Sequence, residues 1–360
     1  PRHGCRPHGG TYRQSSQTTR DYGKSTGGKT PGEIAGPRQT RSGDQEIIRP
    51  PQETHRSAKA RHPVNASEGA PHPLSAACYA DQARQLRVPI IENERIARNT
   101  FRVRFECPEL AAAILPGQFL MIRLADCNDP LLARPFALYD TVLDATNSPS
   151  GVDVVYLEVG KMTHKLSEYQ AGEILDVWGP LGNGFSPQPV EHLILVAGGI
   201  GQTPFLALAR EFLGGRQYGN PARRVTPARK VTLCYGVRSA EFLAGVEEFR
   251  ACGVDLQIAS DDGSVGHHGF VTEVLEQVLA DSPGTDRRIA CCGPEKMMEA
   301  VAHIVQRSAL PCEVSLETPM ACGIGICFSC VVKVLQPDGQ WDYKRTCVEG
   351  PVFDATKIVW

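Results

Sequence analysis

The alternation of apolar and polar positions changes character three times along this 360-residue chain. Through residue 85, hydrophobic residues are sparse and follow neither a period of 2 nor one of 3.6. They stand among Gly, Pro, Ser, Thr, Gln and Arg. Such a segment buries too little apolar surface to offset its ordering entropy, which predicts a disordered extension over 1–85. From Val88, short apolar or alternating runs occupy 90–91, 100–105, 118–124, 152–159 and 174–178, punctuated by Pro116-Gly117 and Gly179-Pro180. Closely spaced short strands predict an antiparallel β-barrel over 86–187. From His192 the rhythm becomes strand then helix. Strands are expected over 193–197, 231–235, 255–259 and 288–292, and helices over 203–213, 241–250, 270–279 and 295–305. Repeated βα units predict a parallel sheet covered by helices, an α/β domain over 188–308. The remainder, 309–360, is short and rich in Cys and Gly.

Composition narrows the class. Hydrophobic residues make up 41% and charged residues 22%, ordinary values for a globular protein. The formal net charge of −2 points to neither nucleic acid nor a membrane surface. The charge is uneven, with 13 Lys+Arg against 7 Asp+Glu through Gln85. No apolar run approaches the roughly 20 residues that a bilayer span needs, and the start of the chain shows no apolar leader. The expectation is a cytoplasmic protein, for which disulfides do not explain thirteen cysteines. Gly23-Lys-Ser-Thr-Gly-Gly-Lys-Thr30 matches the spacing of a phosphate loop. It follows no apolar strand and is succeeded by Pro31-Gly32, so it is set aside.

The sharpest chemical signal is Cys322-Gly-Ile-Gly-Ile-Cys327-Phe-Ser-Cys330, with Cys347 after a hairpin-like stretch. This C-x4-C-x2-C…C spacing is the plant-type [2Fe–2S] pattern. Gly323 and Gly325 let the backbone curl around a cluster in conformations a β-carbon disfavours. The alternative is a zinc-bound scaffold. Zinc sites favour two close C-x2-C pairs, and here one C-x2-C exists.

Two further stretches carry candidate cofactor contacts. Gly198-Gly199-Ile200-Gly201 follows an apolar strand, with Thr203 suited to the N-cap and Pro204 to the first helical position. A pyrophosphate can approach free N–H groups there. Cys292-Gly293-Pro294 ends the fourth strand and would join this turn at the carboxyl edge of the sheet, where ligands of open α/β sheets bind. Arg238 leaves NAD and NADP both open. In the barrel, Arg134 can clamp a pyrophosphate, and Pro135, Phe136 and Ala137 can present backbone to an isoalloxazine. Ordinary βα turns and an edge strand with a surface Arg remain the plainer readings.

The order of these pieces is more specific than any one. Arg134-Pro-Phe-Ala137, Gly160-Lys-Met-Thr163, Gly198-Gly-Ile-Gly-Gln-Thr-Pro204, Cys292-Gly-Pro-Glu-Lys-Met-Met298 and Met320-Ala-Cys-Gly-Ile-Gly-Ile-Cys327 occur in sequence. From about Val88 to Trp360 the chain resembles the electron-transfer subunits of class B, NAD-linked dihydroorotate dehydrogenases, within the ferredoxin–NADP⁺ reductase superfamily. The resemblance implies an FAD barrel, an NAD sheet and a [2Fe–2S] segment. It places Arg134 to Ala137 on the flavin motif and Val155, Tyr156 and Leu157 on a second flavin strand. Met162 and Thr163 fall at the FAD phosphates, and Cys322, Cys327, Cys330 and Cys347 on the cluster. Ala137 stands where the family has Ser, Met162 where it has Gly, and Leu157 where Arg is frequent. The implied function is electron transfer, in pyrimidine biosynthesis, from the FMN of a separate catalytic subunit through the cluster and FAD to NAD⁺. The implied assembly is two copies of each subunit. The rival reading is the flavin subunit of an NAD(P)H:ferredoxin or sulfhydrogenase-type oxidoreductase.

Overall fold

The computed structural model describes residues 80–284 and 286–360. Most of the expected extension, including the phosphate-loop look-alike, lies outside the described residues. Residues 80–85, read as part of it, hold a 3-10 turn (Ala80–Gln82) and the start of the first strand.

The first sheet is built from β1 (Arg84–Ala97), β2 (Thr100–Glu106), β3 (Phe119–Leu124), β4 (Arg134–Ala137), β5 (Asp140–Leu143), β6 (Pro149–Leu157) and β7 (Ile174–Leu181), with helices α1 (Pro108–Ala113) and α2 (Lys161–Ser167). Its order is β4-β3-β7-β1-β2-β6-β5, and every pairing is antiparallel. The two edge strands, β4 and β5, are neighbours in the chain, separated by Leu138 and Tyr139 alone. The sheet must therefore roll until its edges approach. Leu138 N–H donates to Gln118 O at 3.0 Å and Tyr139 N–H to Asp153 O at 3.1 Å, tying the link to both sides. Val103, Phe105, Leu120, Ile122 and Val154 fill the interior with no measurable exposure.

The second sheet takes β8 (His192–Gly198), β9 (Lys230–Val237), β10 (Asp255–Ser260), β11 (His267–His268), β12 (Arg287–Cys292), β13 (Cys312–Ser315) and β16 (Val352–Asp354). Its order is β11-β10-β9-β8-β12-β13-β16, and all but β16 run parallel. Central β8 is apolar on both faces, as a doubly covered parallel strand requires. Leu193, Leu195 and Ala197 pack with α3 (Phe205–Phe212). Ile194 and Val196 pack with α5 (Val271–Asp281) and α6 (Glu295–Ser308). Each such Leu, Ile or Val side chain contributes roughly 1.5–3 kcal/mol before entropy is offset.

Three expected boundaries move. The first helix begins at Phe205, with Pro204 in the N-cap position. Thr203 instead closes a 3-10 turn (Gly199–Gln202), its N–H donating to Ile200 O at 3.1 Å, because Gly199 turns the chain at φ +55. The expected helix over 241–250 is broken by Gly245 at φ +72 into a 3-10 turn (Ala240–Phe242) and α4 (Val246–Ala251). The C-terminal segment is stitched into the second sheet at both ends, through β13 and β16. Between these, β14 (Val331–Leu335) and β15 (Trp341–Arg345) form the anticipated hairpin.

Candidate functional site

The cysteine loop packs on the outside of the barrel. Cys330 and Cys347 share an apolar cluster with Phe119, Met121, Leu181 and Val348. The thiols gather two by two. The Cys330 and Cys347 sulfurs stand 3.2 Å apart, and the Cys327 thiol is in hydrogen-bond contact with Cys322. Cys347 also feels the charge of Cys322, so the pairs are neighbours. Among the described residues no group of three or more His, Cys, Asp or Glu is placed to hold one metal ion. Two pairs are what a two-iron cluster uses, two thiolates on each iron, whereas one zinc ion gathers its ligands around a single point.

The backbone fits the same group. Gly323 and Gly325 have φ of +74 and +81, and Phe328 also lies at φ +55. The N–H of Ile324 points at the Cys322 sulfur at 3.4 Å. Hydrogen bonds from the Ser329 hydroxyl and N–H bring the Cys327 thiol down to about 6. The contact with Cys347 brings Cys330 down to about 6 and raises Cys347, one proton being shared by the pair. Thiols so held are poised as the thiolates that bind iron. Arg345 donates to Gly325 O at 3.0 Å and lies over the Phe328 ring, bracing the loop from the hairpin.

A cleft of about 1150 Å³ opens at the carboxyl edge of the second sheet. The turn after β8 (Gly198, Gly199, Ile200) and the end of β12 (Gly293, Pro294) line it, facing Thr100 and Leu157 of the barrel. The glycines differ in role. A β-carbon on Gly201 would stand 2.3 Å from Cys292 O, and one on Gly198 would stand 2.6 Å from the Met297 sulfur. These two, with Gly293 beside Gly198, let the turns of β8 and β12 interlock. Gly199, at φ +55, has nothing within 4 Å of that position. Its open backbone is the cradle a pyrophosphate needs. Thr203, Pro204 and Cys292 are buried behind this surface, and burial pushes the Cys292 thiol well up.

On the barrel side, Arg134 is exposed on edge strand β4. Its Nη1 donates to the carbonyls of Leu132 and Ala133, both at 3.0 Å, and no carboxylate among the described residues pairs with it. The charge is thus available to a phosphate. Pro135, Phe136 and Ala137 are half-buried. Along β6 the side chains part by strand alternation: Leu157 lines the cleft, Val155 joins the core of the second sheet, and Tyr156 turns into the barrel. Tyr156 stacks on Phe101 and donates to Asn93 Oδ1 at 3.0 Å. Met162 is likewise core. The Thr163 hydroxyl is committed to its own helix start, accepting from Val159 N–H at 3.0 Å and Gly160 N–H at 3.1 Å.

Sequence reasoning missed several cleft groups. Gln202 lines the cleft, is fully buried, and has neither amide atom bonded among the described residues. In the core behind the cleft lining, the buried Tyr139 hydroxyl has no partner among the described residues either. Orphaned buried polar atoms of this kind mark places where a bound group completes the bonding. Glu317 lines the cleft and is open to its solvent, and the cleft walls desolvate its carboxyl enough to raise it above the usual range. The glycine-turn stretch 198–204 contained Gln202 without singling it out, and no motif marked Glu317.

Family models for an oxidoreductase FAD-binding domain match residues 87–185, for an oxidoreductase NAD-binding domain 195–303, and for the iron–sulfur cluster binding domain of dihydroorotate dehydrogenase B 317–359. A rolled barrel, a parallel sheet and a cysteine loop in this order define a ferredoxin-reductase-type flavoprotein that passes electrons between a pyridine nucleotide and an iron–sulfur centre. The fold is that of a chain of the NADH-dependent reduced ferredoxin–NADP oxidoreductase. It has a TM-score of 0.62 and 29% identity, and covers 76% of this chain and 90% of that one. The dihydroorotate dehydrogenase B (NAD⁺) electron-transfer subunit of Desulforamulus reducens is 35% identical over 74% of this chain and 94% of that protein. That of Caldanaerobacter subterraneus subsp. tengcongensis is 32% identical over 77% and 99%. The chain belongs to the family of dihydroorotate dehydrogenase B electron-transfer subunits. It is an oxidoreductase subunit of FAD, NAD and iron–sulfur chemistry, and membership implies a catalytic partner subunit. Among the described residues no helix is long and apolar enough to cross a membrane.

Proposed function

We propose that this subunit takes electrons from an FMN on the catalytic subunit that oxidises dihydroorotate, and delivers them to NAD⁺ in the cytoplasm as part of pyrimidine biosynthesis. Cys322 and Cys327 would hold one iron and Cys330 and Cys347 the other. Arg134 to Ala137, with the backbone of 155–157 and the first turn of α2 at Met162 and Thr163, would hold FAD. Gly199 and Ile200, with Gly293 and Pro294, would hold NAD; Gly198, Gly201, Thr203, Pro204 and Cys292 would shape that surface from behind. The working regions are then 86–187, 188–308 and 309–360, and two copies would join two catalytic subunits. When bound, the flavin converts single electrons into the pair that NAD⁺ takes. The protein's own part is placement. Arg134 offsets phosphate charge, the N–H groups around Cys322 and Cys327 stabilise thiolate, and Leu157 with Ile200 keeps apolar surface against the reacting rings.

The observation that carries this reading is the pairing of thiols beside the flavin strand. It is tested with the full chain co-purified with its catalytic subunit. Dihydroorotate-dependent NAD⁺ reduction, a flavin spectrum and a [2Fe–2S] EPR signal are expected. Loss of the EPR signal without loss of NAD⁺ reduction would sink the electron route. The likeness to the ferredoxin–NADP oxidoreductase chain makes ferredoxin the competing donor. If reduced ferredoxin supports pyridine nucleotide reduction and dihydroorotate does not, that reading replaces this one.

A further inference from the structure

The cysteine loop is joined to the flavin strand by one straight row of residues. Trp178 on β7 donates from Nε1 to the carbonyl of Cys322 at 3.1 Å. Across the sheet, Trp178 is the register partner of Met121 on β3, and Met121 is the partner of Pro135 on β4. Adjacent strands lie about 4.8 Å apart, so two strand spacings separate the tryptophan from the flavin motif. Met121 is fully buried, and its Cγ stands 2.5 Å from where a β-carbon on Gly323 would be. Gly323 is thus required twice, for its φ of +74 and for close approach to the barrel.

We propose that Trp178 is a positioning residue for electron transfer, holding the Cys322 carbonyl against the barrel so that the row Cys322, Trp178, Met121, Pro135 carries electrons between cluster and flavin. This rests on the cofactor assignment proposed above. At each crossing the cluster loses one electron and the flavin gains one. No bond forms or breaks, and no proton travels along the row. Two crossings supply the electron pair for one NAD⁺, and the proton that NADH gains comes from solvent. The indole N–H meets a carbonyl and not a sulfur. Its removal therefore disturbs the distance and order of the loop more than the charge on the cluster.

The test uses the full chain in complex with its catalytic subunit. Trp178→Phe keeps an aromatic ring and drops the N–H; Trp341→Phe, on the exposed hairpin, is the matched control. Cluster content is read by EPR after dithionite. Cluster reduction by NADH is followed by stopped-flow absorbance. NADH:ferricyanide turnover reports on the flavin and nucleotide sites without the cluster. The expected result for Trp178→Phe is a cluster signal near wild type with cluster reduction slowed about tenfold or more, the scale of losing a supporting hydrogen bond around a metal centre; Trp341→Phe keeps the wild-type rate. An unchanged rate in Trp178→Phe overturns the proposal. If Trp178→Phe fails to retain its cluster, Trp178→Gln, which restores a donor, is expected to recover cluster and rate; no recovery overturns it. A wild-type complex without an EPR signal would strike the cofactor assignment instead, so the two failures are distinguishable.

Discussion

Two glycines two positions apart, Gly199 and Gly201, serve opposite purposes in the turn after β8. Gly201 is packed against Cys292 O, so Gly201→Ala forces a β-carbon into backbone. The expected cost is about 3 kcal/mol, the upper range for overpacking, because no flexible side chain can yield. Gly199 faces open space, and Gly199→Ala costs only the left-handed conformation, about 1 kcal/mol. Thermal unfolding should therefore single out Gly201→Ala, and titration with NADH should single out Gly199→Ala as the weaker binder.

At the scale of elements, the strands of the parallel sheet were legible because β8, β9 and β12 are largely apolar runs whose middles are buried on both faces. The cysteine spacing was legible because cluster chemistry fixes it within one loop. The antiparallel barrel was legible from its closely spaced short strands, but not the strand order that sets β4 and β5 at opposite edges of one sheet, which depends on pairings between distant residues. Nor were the break at Gly245, the burial of Tyr156 and Met162, or the orphaned amide of Gln202, each of which depends on tertiary neighbours. The anchoring of the C-terminal segment by β13 and β16 has a consequence. Thr346 donates from its N–H to Cys330 O at 2.8 Å, so the loop between those strands is held by the hairpin, by its contacts with Trp178 and the barrel, and by the group that joins the thiols. Chelating the iron is expected to raise hydrogen exchange through 319–347 and leave β8, β9 and β12 protected. Uniform loss of protection would show the segment to be part of one cooperative unit.

For the whole molecule, the outer side of the cysteine loop decides how electrons enter. Ile326 is 73% exposed and Phe328 62% exposed, on the loop that carries Cys327. Exposed large apolar side chains in company mark an interaction surface more often than they mark free surface. Of the thiols behind them, Cys330 and Cys347 are buried and Cys322 half-buried on the barrel side, while Cys327 is exposed on the same side as Ile326. A donor must then approach from the Ile326 side, since the barrel closes the other. Cores of protein interfaces are depleted in charge, so Ile326→Glu introduces an anion where the partner would desolvate it. Complex formation with the catalytic subunit is expected to weaken by about tenfold or more, equivalent to about 1.4 kcal/mol. The side chain is solvent-facing in the isolated subunit, so cluster EPR and NADH:ferricyanide turnover should persist while dihydroorotate-dependent NAD⁺ reduction falls at limiting subunit concentration and recovers when the partner is in excess. Sedimentation and coupled assays measure both. Full association in Ile326→Glu would move the entry point to another face, and with it the direction in which the Trp178 row is used.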